Sequence, residues 1–290
     1  MKAVAATLSS WHDLVAFAEA SRGFFYRGQA DASWPLQTSL ERAYRRHLPF
    51  PAMPAIGERW ALHEFKAKAH LFLKQCPGPE ASFEWLALLQ HHGCPTRLLD
   101  FTLSPYIATY YAVASAAGDA CVFAVNVYSL RDSLQATYEL PYRFGYALRD
   151  EINALHIALF NECLKSPDSA AIPHLIPLES TMPSARVVRQ QAVFLAPTVL
   201  SAAPSLSSFA TCLDASLGTS CNEPETISVA DLLRTVSAFS HDVGFIRLTL
   251  PQALHAAAMK QLGLMWLSEE TLFPDLDGLA RSLVQKHLHP

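Results

Sequence analysis

Three aromatic residues run straight into a charge in Phe24-Phe25-Tyr26-Arg27-Gly28-Gln29. The segment is short, apolar and preceded by Gly23, so it reads as a buried β-strand. A guanidinium carried inside a protein without an anion is very costly. Any fold open to this chain must therefore bring Arg27 either an acidic side chain, with Asp31 and Asp100 as candidates, or the phosphate or carboxylate of a ligand. Gly28 lets something approach the strand backbone closely. The rest of the chain can supply such an interior. Of its 290 residues 51% are hydrophobic and only 17% charged, too apolar for a disordered segment and enough for a sizeable core.

Turn and cap residues divide the chain into irregularly alternating helices and strands. A helix is expected over 9–20, capped by Ser9 or Ser10 with Leu14, Val15 and Ala18 inward, and further helices over 38–47, 57–75 and 81–91. Thr38 or Ser39 caps the second of these, Ser82 the last, and a Pro-rich loop fills 49–54. Thr96–Thr102 reads as a strand, Ser104-Pro105 starts a helix to about 117, and 120–127 is β-rich. The stretch 130–180 looks helical and then Pro-rich, 185–199 a strand or strand pair, and 200–222 a Ser/Pro-rich loop. A helix over 227–239, a strand over 245–250 and helices over 251–263 and 276–287 complete the chain. Asp275 serves as N-cap of the last. The sum is an α+β fold, a mixed or antiparallel sheet with flanking helices, in a single domain over 1–290.

Several functions are disfavoured. The net charge is −4 and the pI about 6.3, so bulk charge does not recommend nucleic acid as a partner, and Arg42, Arg45 and Arg46 read as a solvated helix face. The six cysteines show no paired spacing, which speaks for reduced thiols in a cytoplasmic setting and against structural zinc. His91-His92 lacks a nearby third ligand, so no metal is expected. The apolar run 106–117 is too short and too polar for a membrane span. No Gly-rich phosphate loop follows any strand.

The other concentration of polar groups is Gln90-His91-His92-Gly93-Cys94-Pro95-Thr96-Arg97-Leu98-Leu99-Asp100. On a strand, Asp100 and Thr102 point to one side. Gln190 and Gln191 precede Ala192-Val193-Phe194-Leu195, and on a strand only one of them faces inward, where it needs partners for its amide.

Together these pieces resemble the FRG domain family. The resemblance rests on Tyr26-Arg27-Gly28 with Gln29 and Trp34-Pro35-Leu36, on the run Gln90 through Pro105, on Arg186 to Phe194, and on Leu272 to Leu279. These elements span nearly the whole chain; Ala192 stands where the family usually has glycine. A second resemblance is to ADP-ribosyltransferases of the Arg-Ser-Glu type, which also carry an early Tyr-Arg-Gly strand. It implies an ADP-ribosyltransferase-like fold and NAD as substrate or ligand, in an enzyme that transfers ADP-ribose or hydrolyses NAD, of the kind used as bacterial toxins or antiphage effectors. Arg27 would hold phosphate with Gly28, Gln29, Thr96, Arg97, Thr102 and Gln190 around the nucleotide. His91, Asp100 or Gln191 would be the polar catalytic group. No glutamate lies between 186 and 199, where that family places its catalytic one. The alternative is a non-catalytic nucleotide-sensing or protein-interaction module using the same pocket.

Overall fold

Eight strands form one open sheet in the order β5-β6-β3-β2-β4-β8-β1-β7 in the computed structural model. The structure describes residues 1–47, 54–142, 148–165, 172–200, 207–236 and 242–288. Strand β1 (Lys2–Thr7) leads into helix α1 (Trp11–Ala20) and β2 (Phe24–Gln29). Ser10 and Asp13 form a capping box at α1, which buries Leu14 and Phe17, while Val15 and Ala18 stay half-buried. Helices α2 (Ser39–His47), α3 (Pro54–Ala69) and α4 (Ser82–His91) follow, then β3 (Leu99–Thr102), α5 (Pro105–Val113) and β4 (Ala120–Asn126). The Thr38 and Ser104 hydroxyls cap α2 and α5. Ser82 does not cap α4 but is its first residue, and α3 stops at Ala69, six residues short of the expected end. Residues 49–53 of the expected loop lie outside the described residues.

The second half holds α6 (Val127–Tyr138), α7 (Arg149–Lys165), β5 (Leu175–Leu178), α8 (Ala185–Arg189), β6 (Ala192–Pro197) and α9 (Ser208–Leu217). Then come β7 (Glu225–Thr226), α10 (Val229–Thr235), β8 (Val243–Leu250), α11 (His255–Leu264), α12 (Glu269–Leu272) and α13 (Leu276–His287). Asp275 caps α13 as expected. Three expectations are corrected. The β-branched pair Val187-Val188 belongs to helix α8, because Ser184 caps a turn of helix there. The expected loop over 200–222 contains α9, whose Phe209, Cys212, Leu213 and Leu217 are buried. The expected strand over 96–102 begins only at Leu99.

The sheet is mixed and mostly antiparallel. Among the described residues only β1 pairs in parallel, with β8 and with β7. One face carries α1, α5, α10 and α11 on Phe24, Tyr26, Val122, Ala124 and Ile246. The other carries α9 and α6 on Phe25, Phe101, Phe123 and Phe245. A third apolar cluster joins α3, α4 and α7 to the β5–β6 end. Gly28 shows how tightly one layer is set. A Cβ there would lie 1.9 Å from the Ala108 carbonyl oxygen, so the group that approaches its backbone is helix α5. No helix among the described residues is long and apolar enough to cross a membrane.

Candidate functional site: a cleft where two strands part

Strand β2 pairs along its whole length with β4, and β3 along its whole length with β6. Between β2 and β3 the pairing is Tyr26 with Thr102. Past that point each strand follows its other neighbour, and a cleft of about 970 Å³ opens between them. That is near the upper end of the roughly 300–1,000 Å³ usual for small-molecule sites.

Arg27 stands at the fork. Its Nη1 donates to the Asp100 backbone carbonyl at 2.7 Å, and its buried Nε has no partner. Neither Asp31 nor Asp100 makes an ion pair with it among the described residues; the Asp31 carboxylate takes the Ser33 amide and hydroxyl instead. The surrounding walls lower the guanidinium's pKa and the charge of Asp100 restores part of it. An arginine remains cationic through such a shift. Arg42 and Arg46, one helical turn apart on α2, also line the cleft. Arg42 donates to the Gln37 carbonyl at 2.6 Å and makes no ion pair among the described residues. All three arginines are exposed, in keeping with the expected solvated face, and two of them also border the cleft.

Asp100 is the acidic centre. Gln90 Nε2 lies 3.0 Å from each of its carboxylate oxygens. The amide cannot turn away, because the Thr96 hydroxyl donates to Gln90 Oε1, and Thr96 is anchored in turn by its backbone N–H on Ser39 Oγ at 3.0 Å. Enclosure by the walls raises the Asp100 pKa above the ordinary carboxylate value, with Arg27, Gln90 and Arg186 opposing. Its carboxylate is nonetheless open to the cleft, and cleft water limits that rise. Glu84, the other acidic residue on the wall, is committed. Its oxygens accept from Ser180 Oγ, Thr181 N and Thr181 Oγ1 at 2.7–2.8 Å.

The remaining sequence candidates divide clearly. His91 is exposed at the C-terminal end of α4 and lines the cleft. The walls, His92 and Arg186 hold its imidazole pKa below the ordinary value, against Asp275. Gln29, Thr102 and Gln190 also line it, but their donors are spent on the Trp34, Gln190 and Leu272 carbonyls. Thr96 is fully buried behind the wall, where it orients Gln90 rather than facing a ligand. Arg97 is corrected outright. It points into the core, 1% exposed, with Nε 2.5 Å from Glu58 Oε2 and its backbone N–H on Glu58 Oε1 at 2.7 Å. Gln191 is also corrected. It is an exposed corner residue at φ 46°, outside the lining, whose carbonyl accepts from Leu103 N. Among the described residues no three His, Cys, Asp or Glu gather as a metal site.

Arg186 and Tyr111 are among the cleft residues not singled out from sequence as site residues. Arg186 projects from α8 with its guanidinium 4.6 Å over the Phe273 ring, while Arg281 lies 4.9 Å from the same ring. Tyr111, on α5, has a buried hydroxyl with no partner. The Arg-x-x-x-Gln spacing in the quoted Arg186–Phe194 element was the available signal for the first. For Tyr111, nothing in the sequence separates it from the core tyrosine beside it.

Residues 22–120 match the family model of the FRG domain. The chain carries an FRG domain. Its matched span holds Arg27, Gln90, Thr96 and Asp100 and ends at the first residue of β4, well short of the Leu272–Leu279 segment that also resembled the family. Part of the cleft of this FRG-domain protein, including Arg186 and Gln190, therefore comes from outside the span. No curated protein and no solved structure matches the chain.

Proposed function

We propose that the cleft binds a nucleotide through its phosphates, with Arg27 as the clamp and NAD as the ligand. The observation that carries this is the unpartnered Arg27 Nε at the fork of β2 and β3. A buried guanidinium edge left open beside Arg42 and Arg46 is a site for a planar, doubly bonding oxyanion. Trp34, 55% exposed on the cleft wall, offers a ring for a base to stack on.

Within this reading Asp100 is the carboxylate that faces the ribose. Glu84 is engaged, Gln191 lies outside, and no glutamate occurs between 186 and 199. In an ADP-ribosyltransferase-like reaction the bond from the ribose to nicotinamide breaks, its electron pair leaves with nicotinamide, and positive charge develops on the sugar. The Asp100 carboxylate, fixed by Gln90, offsets that charge electrostatically. Water or an acceptor side chain then takes the ribosyl carbon.

The test is nicotinamide release from NAD by the purified protein, beside Arg27→Ala and Asp100→Asn. Release by the wild type and a drop of about a hundredfold or more in each variant are expected. An Asp100→Asn variant that still stabilises thermally with NAD but releases nothing separates binding from turnover. NAD left intact by the wild type, with a thermal shift, favours the non-catalytic nucleotide-sensing module, for which the neutral lid of Gln90 on Asp100 speaks. Neither release nor shift rejects the proposal.

A further inference from the structure

The cleft has a second cationic end. In the sheet β3 lies between β2 and β6, so Asp100 is flanked on one side by the strand that carries Arg27 and on the other by the strand that α8 feeds. Arg186 sits on α8, on that second side. Its guanidinium carbon lies 4.6 Å over the centre of the Phe273 ring and makes no ion pair among the described residues. The C-terminal segment fixes this arrangement. Gln190 Nε2 donates to the Leu272 carbonyl at 3.0 Å, Arg189 reaches the Thr271 carbonyl, and Arg281 closes the other contact with Phe273 while pairing with Glu269 at 2.5 Å. Tyr111 meets the same ring edge-on at 6.1 Å and leaves its hydroxyl without a partner. The Arg186 guanidinium, the unpartnered phenol O–H of Tyr111 and the imidazole of His91 thus line one end of the cleft, with Asp100 between that end and Arg27.

Resting on the nucleotide reading above, we infer that this end binds a second phosphate, and that the ligand is a nucleotide bearing two separated phosphate groups on one ribose, with a free ribose hydroxyl beside them. One phosphate is held by Arg27, backed by Arg42 and Arg46. The other, esterified at the far side of a ribose, takes its hydrogen bonds from Arg186 and Tyr111. Asp100 accepts from the hydroxyl left free on that ribose. A single-phosphate nucleotide leaves the Arg186 end empty.

Calorimetric titration with adenosine 5′-monophosphate, adenosine 3′,5′-bisphosphate and NAD tests this. The wild type should bind the bisphosphate about tenfold or more tightly than the monophosphate. Arg186→Gln should bring the two to within about twofold, since charge-assisted bonds to the extra phosphate carry the difference. Tyr111→Phe removes one oxygen and keeps the ring, so it should lower the preference several-fold with the fold intact. Phe273→Leu, which frees Arg186 to move, should do the same. Binding of the monophosphate and NAD with no preference for the second phosphate overturns the inference and leaves the nucleotide reading standing. A preference that survives Arg186→Gln in a folded variant also overturns it. Binding of none of the three overturns both.

Discussion

Arg97 and Glu58, each 1% exposed, form an ion pair that also ties the Arg97 backbone N–H. Removing one partner leaves the other charge buried and alone, so Arg97→Met should cost about 3–5 kcal/mol in urea unfolding. A loss under about 1 kcal/mol would show that the pair is not desolvated. Gln191 predicts the opposite sign. At φ 46° an L-residue is strained, so Gln191→Gly should stabilise the protein by roughly 0.5–1 kcal/mol. Because the residue lies outside the cleft, ligand affinity should stay unchanged. If the substitution abolishes binding, the corner supplies more than geometry. The polar run from Gln90 to Asp100 was legible as a concentration of polar groups, but the direction of each side chain within it was not. Thr96 and Arg97 face the core because the strand starts only at Leu99, and the partners that hold them, Ser39 and Glu58, are some forty to sixty residues away in sequence.

At the scale of elements, helix α7 and strand β5 are joined by a buried histidine. His156, 1% exposed, has Nδ1 3.0 Å from the Pro177 carbonyl and Nε2 3.2 Å from the Tyr142 hydroxyl. Burial, with Arg131 nearby, lowers its pKa to about 4. The unfolded chain, with an ordinary imidazole near 6.5, binds the extra proton between those values. Stability from this group is therefore complete above about pH 6.5 and falls as pH drops towards 4, by roughly 3 kcal/mol in all. His156→Gln should flatten that part of the pH–stability curve, and an unchanged slope would mean that other groups set it. The strands and helices legible in sequence carry their own punctuation: β2 after Gly23, α5 behind Ser104-Pro105, and α13 behind Asp275. Strand β1 was invisible because its Ala-rich Lys2–Thr7 forms a strand only through parallel pairing with β8 and β7, more than two hundred residues on. Helix α8 was hidden by its valines, since a cap from Ser184 outweighs the β preference of two residues.

For the whole molecule, the FRG match and the fold do not coincide. Residues 22–120 contain β2 and β3, but both strands' long pairings are with β4 and β6, which lie beyond the span or start at its last residue. A fragment of 22–120 is thus expected to show no cooperative unfolding transition, whereas the 290-residue chain should; a cooperative melt of the fragment would contradict the sheet order. The fork between β2 and β3 can be a cleft only because the outer strands hold each side apart, and Gly28 sets α5 against the inner side. Gly28→Ala should therefore destabilise by about 1–3 kcal/mol. The most direct measurement of the central claim is a calorimetric titration of the intact protein with ADP-ribose, beside Arg27→Gln checked for an unchanged melting temperature. Saturable binding by the wild type, weakened about tenfold or more in the variant, is the expected result. Equal affinity in the two proteins, or no binding to the wild type, would contradict it.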